Sequence, residues 1–172
     1  MATTLLSELL VLFPCGVTVV TTRDPAAGDH GMTVGAFVPV SLAPPLVLVC
    51  IDCRARMHDV MCGATHFAIN VLDADAVATA RRFASSIPDR FAGVEFDRGI
   101  VGVPLLRDVV AHLQCRVERR YWGGDHSIFV GEVLNGDASE GEPLLYRAHS
   151  FGRLEVREPA RRAAPLKMAA DG

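Results

Sequence analysis

The feature that most constrains this chain is the stretch 30–52, which reads HGMTVGAFVPVSLAPPLVLVCID. It holds two apolar segments rich in valine, leucine and phenylalanine, joined by Pro44-Pro45. Because proline lacks the N–H group that a central strand needs, this pattern predicts two strands around a rigid corner. In the first segment, the small residues of Thr33-Val34-Gly35-Ala36 leave the backbone open to close approach. They indicate either a surface for a flat ligand or a bulge in a crowded sheet.

Length and composition favour one globular domain. With 172 residues, 50% of them apolar and 22% charged, the chain can bury a sizeable core. The net charge of −3 gives no electrostatic reason to expect nucleic acid or an anionic membrane as a partner. Only 6% of residues are aromatic although the mean hydropathy is +0.27, so the surplus apolar content is aliphatic. Such content suits a β-rich core or a buried subunit interface, and a dimer is expected on that ground.

The beginning of the chain lacks the basic region and the cleavage site of a secretory signal. The longest apolar run, Leu46–Ile51, is too short to span a bilayer. A cytoplasmic location is therefore expected. The five cysteines are an odd number in a chain without an export signal, so reduced thiols are expected.

The spacing of apolar residues predicts many strands and few helices. Helices are predicted over 3–12, 54–62 and 73–83. Strands are predicted over 16–22, through the segment that carries Thr33, and over 47–52, 66–72, 109–120 and 126–134. The first three of these strands are predicted to form an antiparallel meander.

About six strands, mostly joined by hairpins, favour a mainly β fold in the form of a closed or partly closed antiparallel barrel. A parallel α/β fold is disfavoured because the strands do not alternate with long helices. The chain also lacks the glycine-rich motifs of a Rossmann or P-loop nucleotide site. One domain is predicted over residues 1–153, and residues 154–172 are expected to form a flexible tail.

Two other chemistries have candidate residues. Five thiol and imidazole side chains lie close together in the sequence: Cys50, Cys53, His58, Cys62 and His66. The pair Cys50-x-x-Cys53 is only a weak zinc or dithiol signal, because Cys50 ends an apolar strand and no second pair of this kind exists. Asp125-His126-Ser127 are consecutive, so their side chains cannot converge as a hydrolase triad within one strand.

A series of sequence blocks carries a stronger signal. In chain order the blocks are FPCGVTVVTT from Phe13, HGMTVGAF from His30, SLAPPLVLVCID from Ser41, HFAINVL from His66, RFA at Arg82, DRFAGV from Asp89, GDHSIFVGEV from Gly124 and PLLYR from Pro143. Over roughly residues 5 to 153, in this order, the chain resembles the flavin reductase-like family of FMN-binding split barrels. Small reductase components of two-component flavin monooxygenases typify that family.

The resemblance implies a homodimer of six-stranded antiparallel split β-barrels with a few short peripheral helices. It implies that FMN or FAD binds near the dimer interface, that NADH or NADPH is oxidised, and that reduced flavin is supplied to a separate monooxygenase. Because hydride passes from nicotinamide C4 to flavin N5, the protein mainly has to stack two rings and exclude water. Two alternatives are a flavin carrier or storage protein of the same fold, and a split-barrel protein whose flavin performs other oxidative chemistry.

The resemblance also implies site residues. Those expected to face the isoalloxazine ring are Thr33, Val34, Gly35 and Ala36, and those expected to line the ring or the ribityl chain are Cys50, Ile51 and Asp52. Arg56 and Met57 are expected beside the phosphate, His126 at the nicotinamide pocket as the catalytic position, and Phe151 at the closure of the site. Members of the family usually carry hydroxyl residues, often as T-x-S-S, where this chain has Gly35-Ala36. The side-chain hydrogen bond that such a hydroxyl makes near flavin N5 or O4 is lost here.

Overall fold

The computed structural model describes residues 2–155, with side chains from residue 5 onwards. The helices in this part of the chain are α1 (Ala2–Leu10), α2 (Arg56–Gly63) and α3 (Val77–Ala84). The strands are β1 (Cys15–Gly16), β2 (Thr18–Asp24), β3 (Gly28–Val34), β4 (Phe37–Leu42), β5 (Pro45–Asp52), β6 (His66–Leu72), β7 (Phe96–Arg98), β8 (Pro104–Leu106), β9 (Val109–Gly123), β10 (His126–Ala138), β11 (Leu145–Arg147) and β12 (Ser150–Gly152). Residues 156–172 of the predicted tail lie outside the described residues, so its flexibility stays a prediction.

The main sheet has seven strands in the order β3-β2-β6-β9-β10-β5-β4. Every neighbouring pair in it is antiparallel. The prediction of a mainly β fold with a few short helices is confirmed. The predicted number of strands is not, because β3 and β4 each contribute a strand and stand at the two ends of the hydrogen-bonded order.

The stretch 30–52 forms parts of two hairpins rather than one continuous pair of strands. β3 pairs with β2 and ends at Val34, and β4 then begins at Phe37 after the small residues Gly35 and Ala36. β4 and β5 pair across the corner at Pro44, whose peptide bond to Ala43 is cis. The predicted proline corner is therefore confirmed. The predicted three-stranded meander is wrong, because the chain changes direction at Gly35-Ala36 and β5 lies between β4 and β10.

Two apolar clusters form the core. The larger cluster takes buried side chains from both halves of the main sheet, including Val34 of β3, Val49 of β5 and Phe129 of β10, and from α2 through Met57 and Met61. The second cluster lies on the other face of β2 and contains Ala80 and Phe83 of α3. Because opposite ends of the strand order contribute to one cluster, the sheet must curve strongly around it.

The second cluster also supports two small sheets. β1, β11 and β12 form a three-stranded sheet, and β7 pairs with β8. α3 begins later than the predicted 73–83, because Asp73 forms a bridge with Pro143 and accepts a hydrogen bond from the Asp75 N–H at 2.9 Å. Within residues 2–155, none of the helices is long and apolar enough to cross a membrane.

Candidate functional site

The segment Thr33 to Ala36 lies at the end of β3, the strand that has only β2 as a neighbour in the main sheet. The Thr33 hydroxyl donates a hydrogen bond to the Ala80 carbonyl of α3 at 2.7 Å, and the Val34 side chain is buried in the core. Gly35 and Ala36 are exposed. A Cβ atom at Gly35 would lie 2.7 Å from the Cys15 sulfur, so any larger residue there would require the Cys15 side chain to move. The surfaces left for a ligand are therefore the Gly35-Ala36 backbone and the Ala36 methyl group.

The second predicted group, Cys50 to Asp52, ends strand β5. Cys50 is half-buried, and its N–H donates to the Ala36 carbonyl at 3.0 Å, which ties β5 to the end of the Thr33–Ala36 segment. Burial raises the pKa of the Cys50 thiol, so the group stays protonated at neutral pH. The Ile51 side chain is buried in the core, so only its backbone can meet a ligand.

Asp52 and His126 lie opposite each other where β5 ends and β10 begins. Asp52 accepts hydrogen bonds from the Arg54 guanidinium, at 2.8 Å for the Nη2–Oδ2 pair, and from the Arg54 N–H. These bonds hold the pKa of Asp52 well below its usual range. His126 has a side chain that is 42% exposed, with Nδ1 2.7 Å from Asp125 Oδ1, and this contact lowers the pKa of Asp125. The imidazole is thus oriented by one carboxylate and remains open to a ligand.

A cleft with a volume of about 740 Å³ lies between β3, the start of α2 and the loop 86–91. Its lining includes the predicted residues Arg56 and Met57 together with His30, Arg54 and Arg90. Arg56 is exposed, whereas Met57 is buried and belongs to the larger core cluster, so Arg56 supplies the polar surface and Met57 the apolar base. The volume and the cationic lining suit part of an anionic nucleotide.

Arg90 and His30 are two cleft residues that the sequence did not single out. The Arg90 guanidinium donates to the Gly31 carbonyl at 2.8 Å and to the Ser85 carbonyl, and its pKa is lowered by burial and by Arg56. His30 Nε2 is buried without a hydrogen-bond partner, and burial and Arg56 also lower the pKa of this imidazole. An anion bound in the cleft would offset the repulsion among these groups. Both residues lie in sequence blocks that carried the resemblance, which was the one signal that could have found them.

Phe151 lies apart from the cleft lining. It belongs to the small sheet β1-β11-β12, where its ring is 5.2 Å from the Tyr146 ring and 5.8 Å from the Arg81 guanidinium carbon. Cys15, which contacts Gly35, is paired with Tyr146 in the same sheet. The structure therefore groups Phe151 with the Gly35 end of β3 and groups Arg56 with the His30 end.

The cysteine and histidine residues at positions 50–66 are also placed by the structure. Cys62 Sγ lies 3.8 Å from both ring nitrogens of His58, and Cys53 Sγ lies 3.9 Å from Ser127 Oγ. Within the described part of the chain, no three His, Cys, Asp or Glu residues are placed to hold a metal ion.

Comparison with known proteins assigns the chain to a family. Residues 10–155 match the family described as flavin reductase like domain. The flavin reductase (NADH) of Kitasatospora aureofaciens is 42% identical over 169 residues, which are 96% of this chain and 88% of that protein. The reductase component of the 4-nitrophenol 4-monooxygenase/4-nitrocatechol 2-monooxygenase of Rhodococcus opacus is 38% identical over 142 residues, or 83% of this chain and 76% of that protein.

A solved structure agrees with the sequence comparison. The NADH:FAD oxidoreductase SgcE6 of Streptomyces globisporus C-1027, in complex with NAD and FAD fragments, superposes with a TM-score of 0.82. It is 39% identical and covers 95% of this chain and 93% of its own. The chain therefore belongs to the flavin reductase-like family, as its sequence blocks predicted.

Proposed function

We propose that the cleft and the open edge of β3 form the flavin site of an NAD(P)H-dependent flavin reductase. The chain transfers a hydride from NADH or NADPH to FMN or FAD. Bound flavin supplies the ring that accepts the hydride. The observation that carries the proposal is the cationic cleft at one end of β3, in line with the exposed Gly35-Ala36 backbone at the other end.

The residues divide this work between binding and orientation. Arg56 and Arg90 bind the phosphate group, because both guanidinium groups line one cleft. Burial and the charge of Arg56 lower the pKa of Arg90, and a bound anion would offset this repulsion. The Gly35-Ala36 backbone lets a flat ring approach closely. His126 and its carboxylate partner Asp125 orient the nicotinamide at the start of β10.

We further propose that the main sheet curves into the split barrel that the resemblance implies. Support comes from the larger core cluster, in which Val34 of the edge strand β3 joins Val47 and Val49 of β5 near the other end of the strand order. The sheet hydrogen bonds alone leave β3 and β4 as edges.

The activity test is NADH or NADPH oxidation with added FMN or FAD in the absence of an aromatic substrate. We expect NADH or NADPH consumption that depends on both protein and flavin, because no other substrate is needed for hydride transfer between two bound rings. Consumption that requires an aromatic substrate would favour a protein whose flavin acts on that substrate. Flavin binding without consumption would favour the carrier function.

The nicotinamide role of His126 predicts a specific kinetic change. We expect His126→Ala to raise the KM for NADH about 5- to 10-fold while flavin affinity stays within about 2-fold, because the lost contact binds and orients the nicotinamide and not the flavin. Asp125→Asn, which keeps a hydrogen-bond acceptor beside the imidazole, is the matched control and should change KM less. Steady-state kinetics at saturating flavin measure both variants. An unchanged KM in His126→Ala would remove His126 from the nicotinamide site.

We propose a homodimer because apolar surface remains exposed on two elements. On α1 the exposed leucines are Leu5, Leu6, Leu9 and Leu10, and on β4 the exposed side chains are Val38, Val40 and Leu42. A soluble monomer rarely exposes so many neighbouring large apolar side chains. Burial of these faces against a second copy of the chain would remove them from water.

Charged substitution tests the dimer. We expect the wild type to elute as a dimer, and we expect Leu6→Glu and Leu9→Glu each to weaken dimerisation about 10-fold or more, because a carboxylate would be buried in an apolar contact. Ile100→Glu is the control, since Ile100 is 70% exposed outside both elements. Light scattering coupled to size-exclusion chromatography measures the mass. A monomeric wild type, or equal effects of all three variants, would contradict the proposed interface.

We also propose that the reduced flavin is used by a separate monooxygenase. The Rhodococcus opacus relative is a reductase component of such a system. In this proposal the residues that line the cleft bind the flavin, and the separate monooxygenase acts on the aromatic substrate. The cytoplasmic location expected from the sequence stays a prediction.

A further inference from the structure

His58 connects the two parts of the proposed site. It lies in the first turn of α2, two residues after Arg56, and its Nε2 atom is 2.9 Å from Ser127 Oγ. Ser127 is buried and directly follows His126. One hydrogen bond therefore joins the helix that presents Arg56 to the strand that presents His126.

The surroundings hold the His58 ring in one orientation. Its side chain is 16% exposed, and its ring meets the Phe129 ring edge-on with centroids 6.1 Å apart. Asp59 Oδ1 lies 3.6 Å from Nδ1, and Cys62 Sγ lies 3.8 Å from both ring nitrogens. The His58 ring is thus held both by packing and by more than one polar contact. A residue that positions other residues needs this kind of support.

Within residues 5–155, His58 to Ser127 is the one hydrogen bond between a side chain of α2 and strand β10. The start of β10 is also paired with the end of β5, where His126 lies opposite Asp52. In the turn between β5 and α2, the Cys53 N–H donates to the Asp125 carbonyl at 2.9 Å and Cys53 Sγ lies 3.9 Å from Ser127 Oγ. Loss of the His58 contact would remove the side-chain hydrogen bond from α2 and leave the start of β10 held by its pairing with β5 and by apolar packing of Phe129 in the core cluster.

We propose that His58 is a positioning residue, which acts through Ser127 to fix the distance between the Arg56 end and the His126 end of the site. This inference rests on the proposed function. Hydride transfer depends steeply on the separation of donor and acceptor, and a displacement of about 1 Å can lower a rate about 100-fold. A residue that fixes this separation should affect the transfer rate more than it affects the binding of either ligand.

Three variants separate positioning from general stability. His58→Leu fills similar space without a hydrogen bond, Ser127→Ala removes the other partner, and His58→Gln can place a polar atom near the position of Nε2. Cys62→Ser is the control, because Cys62 contacts the His58 ring but not Ser127. The single-turnover rate of flavin reduction by NADH, the FMN dissociation constant and the melting temperature are measured for each.

We expect the single-turnover rate to fall about 10-fold in His58→Leu and in Ser127→Ala, with FMN affinity within about 2-fold of the wild type. The double variant should be no slower than either single variant, because both remove the same contact. His58→Gln should recover most of the rate, and Cys62→Ser should match the wild type. Additive losses in the double variant, or a lower melting temperature with an unchanged rate, would overturn the inference.

A second measurement needs no flavin or nicotinamide. Amide hydrogen exchange at residues 124–128 of the ligand-free protein should be about 2- to 10-fold faster in His58→Leu and Ser127→Ala than in the wild type, since one hydrogen bond restrains local opening. Unchanged exchange there would contradict the proposed restraint. If the wild type fails to reduce flavin, the proposed function fails and the inference falls with it. If the wild type and all variants reduce flavin equally, only the inference falls.

Discussion

Replacement of Arg56 by alanine should weaken FMN binding about 10- to 100-fold. The guanidinium is exposed, lines the cleft, and forms no hydrogen bond or ion pair with other described residues, so its charge is available to an anion. A hydrogen bond to a charged group contributes about 1.5–3 kcal/mol, which corresponds to this range of affinity. Titration of FMN with fluorescence detection measures the FMN dissociation constants of the wild type and of Arg56→Ala.

Arg54→Ala is the matched control for Arg56→Ala. Arg54 lines the same cleft, but its guanidinium is already paired with Asp52 at 2.8 Å, so we expect a loss of less than about 3-fold. Riboflavin provides a second control, because it has the flavin ring and lacks the phosphate. Arg56→Ala should bind riboflavin as the wild type does. Equal losses for FMN and riboflavin would show that Arg56 does not bind the phosphate.

Replacement of Asn70 by leucine should lower the free energy of unfolding by about 2–4 kcal/mol. Asn70 is fully buried on β6 and joins three segments: its Nδ2 donates to the Val19 carbonyl at 2.8 Å and to Thr21 Oγ1 at 3.1 Å, and its Oδ1 accepts from the Leu106 N–H at 2.8 Å. Leucine has a similar volume but leaves buried polar groups unpaired, each at a cost of about 1–3 kcal/mol. For a domain of this size, the melting temperature should fall by roughly 5–15 °C.

Asn135→Ala is the control for this variant. Asn135 is exposed on β10, and among the described residues its side chain accepts a hydrogen bond only from the adjacent Gly136 N–H. We expect a change within about 0.5 kcal/mol. Denaturant unfolding followed by circular dichroism measures both proteins. Similar stability of Asn70→Leu and the wild type would contradict the structural role given to this amide.

The sequence predicted those elements whose signals are local. The strand 66–72 matches β6, because a short run of mostly apolar residues, buried on both faces of the sheet at 67–70, defines it within its own length. The signal for the proline corner was also local, because a proline such as Pro44 restricts its own backbone dihedral angle whatever its surroundings. β7, β8, β11 and β12 were missed because each is a three-residue strand whose existence depends on a partner distant in sequence.

The candidate site was predictable only in part for the same reason. Arg56, Met57 and His126 came from the family resemblance, and nothing in their immediate sequence distinguishes Arg56 from an ordinary surface cation. Burial of the Val34 and Ile51 side chains depends on which face of a strand meets the core, a property of the folded sheet. His30 and Arg90 meet only because the loop 86–91 folds over β3, which a local pattern cannot show.

The most direct test of the proposed function is anaerobic mixing of the wild-type protein and FMN or FAD with NADH or NADPH. Loss of the visible absorbance of oxidised flavin reports hydride transfer without any partner protein or aromatic substrate. We predict rapid loss with at least one nucleotide, at a rate that rises with protein concentration and falls when the transferred hydrogen is replaced by deuterium. Retention of the oxidised spectrum with both flavins and both nucleotides, while flavin binding is detected separately, would contradict the reductase function.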